Sequence, residues 1–206
     1  YLNDAQENLG EAFDYAVNAC GLDLDEFMNL FIAQGYANEF GRGNPKYVSG
    51  ISGTELVIAI IEKSGKQLEF PASQTEYDCS PEYWCGWILA YYQWKTYRTF
   101  RDIHDNISMR EIRKMYSPLH EAREDKFVDT VNDIIRKKDM PSKLQQQRKK
   151  CGYSQRELAE KSGVNLRTLQ QYELKTKDIN KASVQSIVAL ANVLGCRVED
   201  LMEYSL

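Results

Sequence analysis

Within Leu166–Glu173, Leu169 and Tyr172 recur at helical spacing and, with Val164 just upstream, leave Arg167, Gln170 and Gln171 on the opposite edge. Leu166 joins that outward set. A side-chain amide donates and accepts together and so pairs bidentately with adenine, whereas a guanidinium pairs in the same way with guanine. A helix that offers such groups outward near its N-terminal end suits the major groove of duplex DNA. The preceding stretch, Gln155–Ser162, is joined to it by Gly163, Val164 and Asn165, a glycine-headed three-residue turn of the kind that connects two helices at a steep angle. Ser154 and Glu157 have capping-box spacing, and Asn165 is an N-cap for the second helix. Gln155, at a helix start, would aim its side chain and the free backbone amides at a phosphate.

Five short helical units are expected to position these groups: 143–151, 155–162, 166–173, 184–194 and 198–203. Leu144, Leu158, Ala159, Val164, Leu169, Tyr172, Ile187, Val188, Leu190, Ala191, Leu194, Val198 and Leu201 recur at three and four and predict one small core. Charge separates this segment from the rest of the chain. Residues 142–206 carry 11 Lys and Arg against 7 Asp and Glu, whereas residues 1–141 carry 15 against 23. The whole 206-residue chain has a formal charge of −4, which conceals a basic C-terminal part of the sort that meets a polyanion. Residues 143–181 hold ten basic against four acidic side chains, enough to drive salt-sensitive binding. The run Arg136, Lys137, Lys138 followed by Pro141 marks the expected boundary, and it can also touch phosphate.

Arg148, the run Ser154-Gln155-Arg156-Glu157-Leu158-Ala159, Gly163-Val164, Thr168-Leu169, Tyr172-Glu173, Leu190-Ala191 and Val198-Glu199-Asp200-Leu201 together resemble the Cro-like, XRE repressor domain. The resemblance spans residues 142–203. It implies that Gln155 contacts phosphate, that Asn165, Leu166, Arg167 and Gln171 face bases with Thr168 and Gln170 beside them, and that Arg148 pairs with Glu173 inside the domain. Leu166 stands where the family often has a polar residue; it can meet a thymine methyl or simply pack. The family's frequent Arg-Gly after the Glu is replaced by Leu174 and Lys175, although Lys175, Lys177 and Lys181 remain within reach of phosphate. One such domain reads few base pairs, so two copies on half-sites roughly 34 Å apart are expected, hence a homodimer on double-stranded operator DNA.

The first 140 residues predict an acidic, aromatic-rich helical domain for interaction or sensing. Capping-box spacings recur at Asp23/Glu26, Ser52/Glu55 and Ser108/Glu111. Helices are expected near 2–18, 23–34 and 53–63, then from Ser80-Pro81 to about Ile103, and over 108–116 and 118–138, with glycine-rich punctuation between Gly41 and Gly53 and a polar loop near 71–78. Only 56–61 and 67–70 read at all as strands, so the fold class is all-α with a C-terminal five-helix repressor-like domain at 141–206. Trp84, Trp87, Tyr91 and Trp94 form a helical row that is either a stacking surface or core.

Several classes are excluded. There is no glycine-rich phosphate loop or nucleophile elbow, and His104 and His120 have no acid or thiol at a diagnostic spacing, so no enzyme and no cofactor are expected. Asp4, Glu7, Glu11 and Asp14 read as a solvated acidic face rather than an acid-base set. The closest cysteine pair, Cys79 and Cys85, has five residues between, which is not zinc spacing, and the five cysteines suit reduced cytosolic thiols. No run approaches the roughly 18 apolar residues of a membrane span, and a signal peptide's basic and apolar sectors are missing. The expectation is a cytoplasmic, sequence-specific transcription regulator. Its acidic half would bind a cognate toxin, as in antitoxin-type regulators of this layout, or sense a small molecule through the Trp84, Trp87 and Tyr91 region, or only dimerise the chain.

Overall fold

A computed structural model describes residues 1–72 and 80–203. Helix dominates the described residues, and no strand occurs among them; the segments 56–61 and 67–70 are helix and irregular chain respectively. The chain divides into two compact units, Tyr1–Ile135 and Arg136–Leu206.

In the first unit, α1 (Leu2–Asp14) packs against α5 (Gly53–Ser64) and α6 (Pro81–Thr96). Glycine permits the approach: a Cβ at Gly86 would lie 2.1 Å from the Leu9 carbonyl oxygen, and one at Gly53 would lie 2.5 Å from that of Asn8. Asn8 is buried here and its Nδ2 donates to the carbonyls of Tyr47 (2.7 Å) and Ile51 (3.0 Å). Two of the carboxylates that read as a solvated face have structural work instead. Glu11 accepts from the Gly53 and Thr54 amides at the start of α5, and Asp14 accepts from Asn18 and Ser80. The helix start thereby gains partners for amides that helical bonding leaves free.

The remaining elements are α2 (Leu24–Ala33), α3 (Tyr36–Gly41), α4 (Pro45–Val48), α7 (Phe100–Asn106), α8 (Met109–Lys114), α9 (Tyr116–Leu119) and α10 (Glu124–Asp139). Phe13, Phe27, Phe31, Phe40 and Phe100 meet ring to ring at the core, with Phe13 on Phe27 at 4.9 Å. Trp84 is buried edge-on against Tyr116 and Phe127, and Trp87, Tyr91 and Trp94 pack partly buried on the same core. The aromatic row is therefore core rather than a stacking platform. Glu82, buried beside it, accepts from Arg113 at 2.5 Å, and burial together with the Glu82 charge pushes the neighbouring Cys85 thiol up to about 12.

Several boundaries differ from the sequence expectation. The helix expected from 81 to about 103 breaks after Thr96: Thr96 Oγ1 donates back to the Tyr92 carbonyl, Tyr97 turns left-handed (φ 55°), and Thr99 caps a new helix by accepting from the Asp102 amide. Helix 118–138 likewise splits into α9 and α10, and helix 2–18 ends in a π-turn at Tyr15–Ala19. The glycine-rich 41–53 region holds α4, started by Asn44 and Pro45. Of the four capping boxes, those at Ser52, Ser108 and Ser154 close fully, while Asp23 accepts from the Asp25 amide. The polar loop expected at 71–78 and Cys79 fall largely in residues 73–79, outside the described residues.

The second unit consists of the last residues of α10 followed by α11 (Lys143–Lys150), α12 (Gln155–Ser162), α13 (Leu166–Glu173) and α14 (Val184–Leu194), with 3₁₀ turns at Ile179–Lys181 and Val198–Asp200. The expected fifth helix is thus one 3₁₀ turn. Serine caps recur at Ser142, Ser154 and Ser183, each accepting from an amide of the first turn. Leu144, Leu158, Ala159, Val164, Leu169, Tyr172, Ile187, Leu190, Ala191, Leu194 and Leu201 form the core as expected, joined by Ile179; Val188 is exposed and Val198 half-buried.

Candidate nucleic-acid interface

Gly163 adopts a left-handed φ of 70° as the C-cap of α12, and Val164 buries its side chain, so the chain reverses into α13 within the three residues 163–165. Asn165 caps α13: its Oδ1 accepts from the Arg167 amide at 2.9 Å and the Thr168 amide at 3.3 Å. That carbonyl is thereby occupied, and only the amide NH₂ of Asn165 remains free to donate outward. Leu169, Tyr172 and Glu173 are buried, Arg167 is exposed, and Leu166, Thr168, Gln170 and Gln171 are half-exposed. Leu166 packs against the core and also lines an open cleft with Ala159, Val164 and Arg156.

Beneath the helix lies a charged anchor. Arg148 and Glu173 are only 8% and 5% exposed, and they pair in fork geometry: Nε donates to Oε1 at 2.6 Å and Nη2 to Oε2 at 3.0 Å. Nη1 of Arg148 donates to the Tyr153 carbonyl at 2.6 Å, which ties the loop between α11 and α12 to the same guanidinium. The hydrogen bonds to the Glu173 carboxylate raise the pKa of Arg148, so the guanidinium stays charged.

Gln155 extends the network to the surface. Its Nε2 donates to Glu173 Oε2 at 2.8 Å, and its Oε1 accepts from Gln170 Nε2 at 3.4 Å. The first residue of α12 is therefore fixed by the last residue of α13, and Gln170 is drawn into the same chain of bonds. Nothing in the spacing of Gln155 discloses this link, because its partner lies 18 residues away on another helix.

Lys175 has a different setting from the one expected. It adopts φ 56° just beyond α13, and its Nζ donates to the Lys137 carbonyl at 2.6 Å, at the end of α10. This ammonium satisfies an orphan helix-end carbonyl. Lys177 lies over the Tyr172 ring at 5.5 Å and Lys181 lies 3.9 Å from Asp178, both with exposed side chains. Lys149, Lys150, Arg156 and Arg167 are exposed.

Among the described residues no group of His, Cys, Asp and Glu is placed to hold a metal ion, and no helix is long and apolar enough to cross a membrane. Residues 144–201 match the family model of the helix-turn-helix. No curated protein and no solved structure matches the chain. The matched segment covers α11 to the last 3₁₀ turn, and residues 144–201 are a helix-turn-helix domain of the DNA-binding, transcription-regulating kind.

Proposed function

We propose that this chain is a sequence-specific operator-binding regulator whose α13 enters the major groove as a homodimer on paired half-sites. Asn165, Leu166, Arg167 and Gln171 face base edges, with Thr168 and Gln170 beside them, and Gln155 faces the phosphate backbone. The observation that carries this reading is the outward edge of α13: the exposed Arg167 and half-exposed Gln171 stand one turn apart on a helix locked from behind by the Arg148–Glu173 pair. A preorganised helix loses little conformational freedom on docking, and each bidentate base contact discriminates by about 1–3 kcal/mol. The Arg167→Ala/Gln171→Ala double variant should abolish discrimination between operator and random duplex while its circular dichroism stays unchanged. Unaltered gel shifts would refute the assignment of the reading helix.

The acidic first unit, on this proposal, binds a protein partner, and the regulator is the autoregulating antitoxin of a toxin-antitoxin pair. The support is layout: a basic helix-turn-helix domain joined to a separately packed acidic unit. On this proposal the gene has a small neighbouring reading frame whose expression is lethal alone and tolerated with this chain; a harmless neighbour, or none, would overturn the antitoxin reading and leave the DNA reading intact.

A further inference from the structure

Two cysteines of the second unit come from opposite ends of its sequence. Cys151 is the C-cap of α11 and is exposed. Its thiol donates to the Leu194 carbonyl at 3.4 Å, at the C-terminal end of α14. Cys196 follows two residues later, beyond Gly195, which turns left-handed at φ 61°, and its own amide folds back onto the Ala191 carbonyl at 3.1 Å. The thiol of one cysteine thus rests on the backbone turn that carries the other.

We propose that Cys151 and Cys196 are a redox-active dithiol pair that closes to an intramolecular disulfide when the chain meets a peroxide. The two residues differ in the way such a pair requires. Cys151 is open to solvent, so it meets the oxidant first. Cys196 is half-buried, and burial, with the Asp200 carboxylate beside it, raises its thiol pKa, which protects it from direct attack. In the first step the Cys151 thiolate attacks one peroxide oxygen; the S–O bond forms, the O–O bond breaks, and hydroxide leaves and takes a proton. The product is a sulfenic acid. In the second, Cys196 sulfur attacks the Cys151 sulfur, the S–O bond breaks, and the oxygen departs as water with the Cys196 proton. Two thiols are oxidised and one hydrogen peroxide is reduced to two waters.

A disulfide needs its Cα atoms within about 7 Å. Both residues sit at helix C-terminal ends, where the Cys151 and Cys196 amides make only the closing bonds, to the Gln147 and Ala191 carbonyls. The bridge would enclose residues 152–195, which contain α12, the turn and α13 entire. Such a closure restricts the unfolded chain and leaves the outward edge of α13 untouched. The pair is therefore a staple that oxidation sets and reduction releases.

The test uses the full chain treated with hydrogen peroxide, then blocked with an alkylating agent and digested with trypsin. Cleavage after Lys150, Arg156, Lys181 and Arg197 isolates Cys151 in 151–156 and Cys196 in 182–197. The expected product is these two peptides joined in a monomeric chain, lighter by two hydrogens, and separated again by dithiothreitol. The oxidised chain should also melt at a higher temperature than the reduced one, a shift lost in Cys151→Ser and in Cys196→Ser. The proposal fails if both peptides are recovered singly alkylated, if Cys151 is over-oxidised while Cys196 stays free, or if the bond joins two chains on a non-reducing gel. The peptide map is read on the unmodified sequence, so it decides the matter even if a serine variant does not fold.

Discussion

Each unit buries one glutamate against an arginine, and the two pairs are built for different ends. In the first unit Glu82 is buried, but Arg113 leaves half of its side chain in water and makes its bond from one edge at 2.5 Å. In the second both partners are inside, the contact is two-pronged, and further bonds run from the carboxylate to Gln155 and from the guanidinium to the Tyr153 carbonyl. A pair at a wet rim ties two helices together, whereas a dry, fully bonded pair fixes the register of three chain segments at once. The second arrangement is the one placed under the helix that offers Arg167 and Gln171 to solvent.

This contrast can be broken most directly by removing each arginine. Arg148→Ala strands a buried carboxylate and should cost about 3–5 kcal/mol, enough to unfold the helix-turn-helix and abolish DNA binding. Arg113→Ala leaves Glu82 near a surface that water can reach, so its cost should be about 1–3 kcal/mol and DNA binding should survive. Urea denaturation followed by circular dichroism, with gel shifts on the same samples, checks both. Equal losses for the two variants would erase the distinction.

The first unit's own rigid point is elsewhere, at the crossing of α1 and α6. Gly86→Ala places a methyl against the Leu9 carbonyl, a backbone atom that no side-chain rotation can clear. Overpacking of this sort typically costs about 1–3 kcal/mol. The stability of the first unit in urea should fall by that amount while operator affinity of the folded chain is unchanged. A midpoint identical to that of the parent would mean that α1 and α6 can separate freely.

How far the sequence discloses each unit follows from where the bonding partners lie. The second unit is built from local signals: Ser154 and Glu157 three residues apart, Gly163 and Asn165 around a turn, apolar residues at three and four. Its caps, turn and core are accordingly legible in the order of residues alone. What that order does not disclose are the bonds that cross between helices, Gln155 to Glu173 and Lys175 to Lys137, since neither spacing nor residue type names the partner. The pairing of Arg148 with Glu173 is legible through resemblance to a family, not through periodicity. In the first unit the break at Tyr97 carries no glycine or proline to announce it; a tyrosine takes the left-handed position, and the Thr99 cap signal is outweighed by the apolar residues on either side. The acidic row of α1 misleads for the same reason in reverse: Glu11 and Asp14 have the spacing of a solvated face, yet their partners, Gly53, Thr54 and Ser80, are more than forty residues on.

Gln155 sharpens the comparison at a finer level. Gln155→Ala removes one hydrogen bond to a carboxylate that keeps its arginine and the long bond from Gln170, so stability should drop by only about 1 kcal/mol. Affinity for any duplex should weaken with little change in base preference, because a phosphate contact positions without reading sequence. Competition gel shifts against operator and random DNA separate these effects, and a selective loss of operator binding would place Gln155 among the reading residues.

The smallest effect concerns a device the two units share. Glu55 and Glu157 each accept from the amide of their capping serine, Ser52 and Ser154, and these bonds hold both carboxyls below the ordinary glutamate value of 4.5. A group whose pKa is lowered on folding contributes stability that is fully present above the unfolded value and is lost as pH falls through the folded one. The contribution should therefore fade as the medium is taken downward from about pH 4.5. Glutamine in place of glutamate keeps an acceptor oxygen at the same position but cannot titrate. The thermal melts of Glu55→Gln and Glu157→Gln, compared with the parent at about pH 6 and again at about pH 3.5, should therefore differ from it more at the higher pH than at the lower. Because both carboxylates are exposed, the two differences should be small and alike. A marked pH dependence in only one of the two differences from the parent would show that its box is coupled to charges beyond its own turn, and in the second unit the nearby Lys161 is the first side chain to replace.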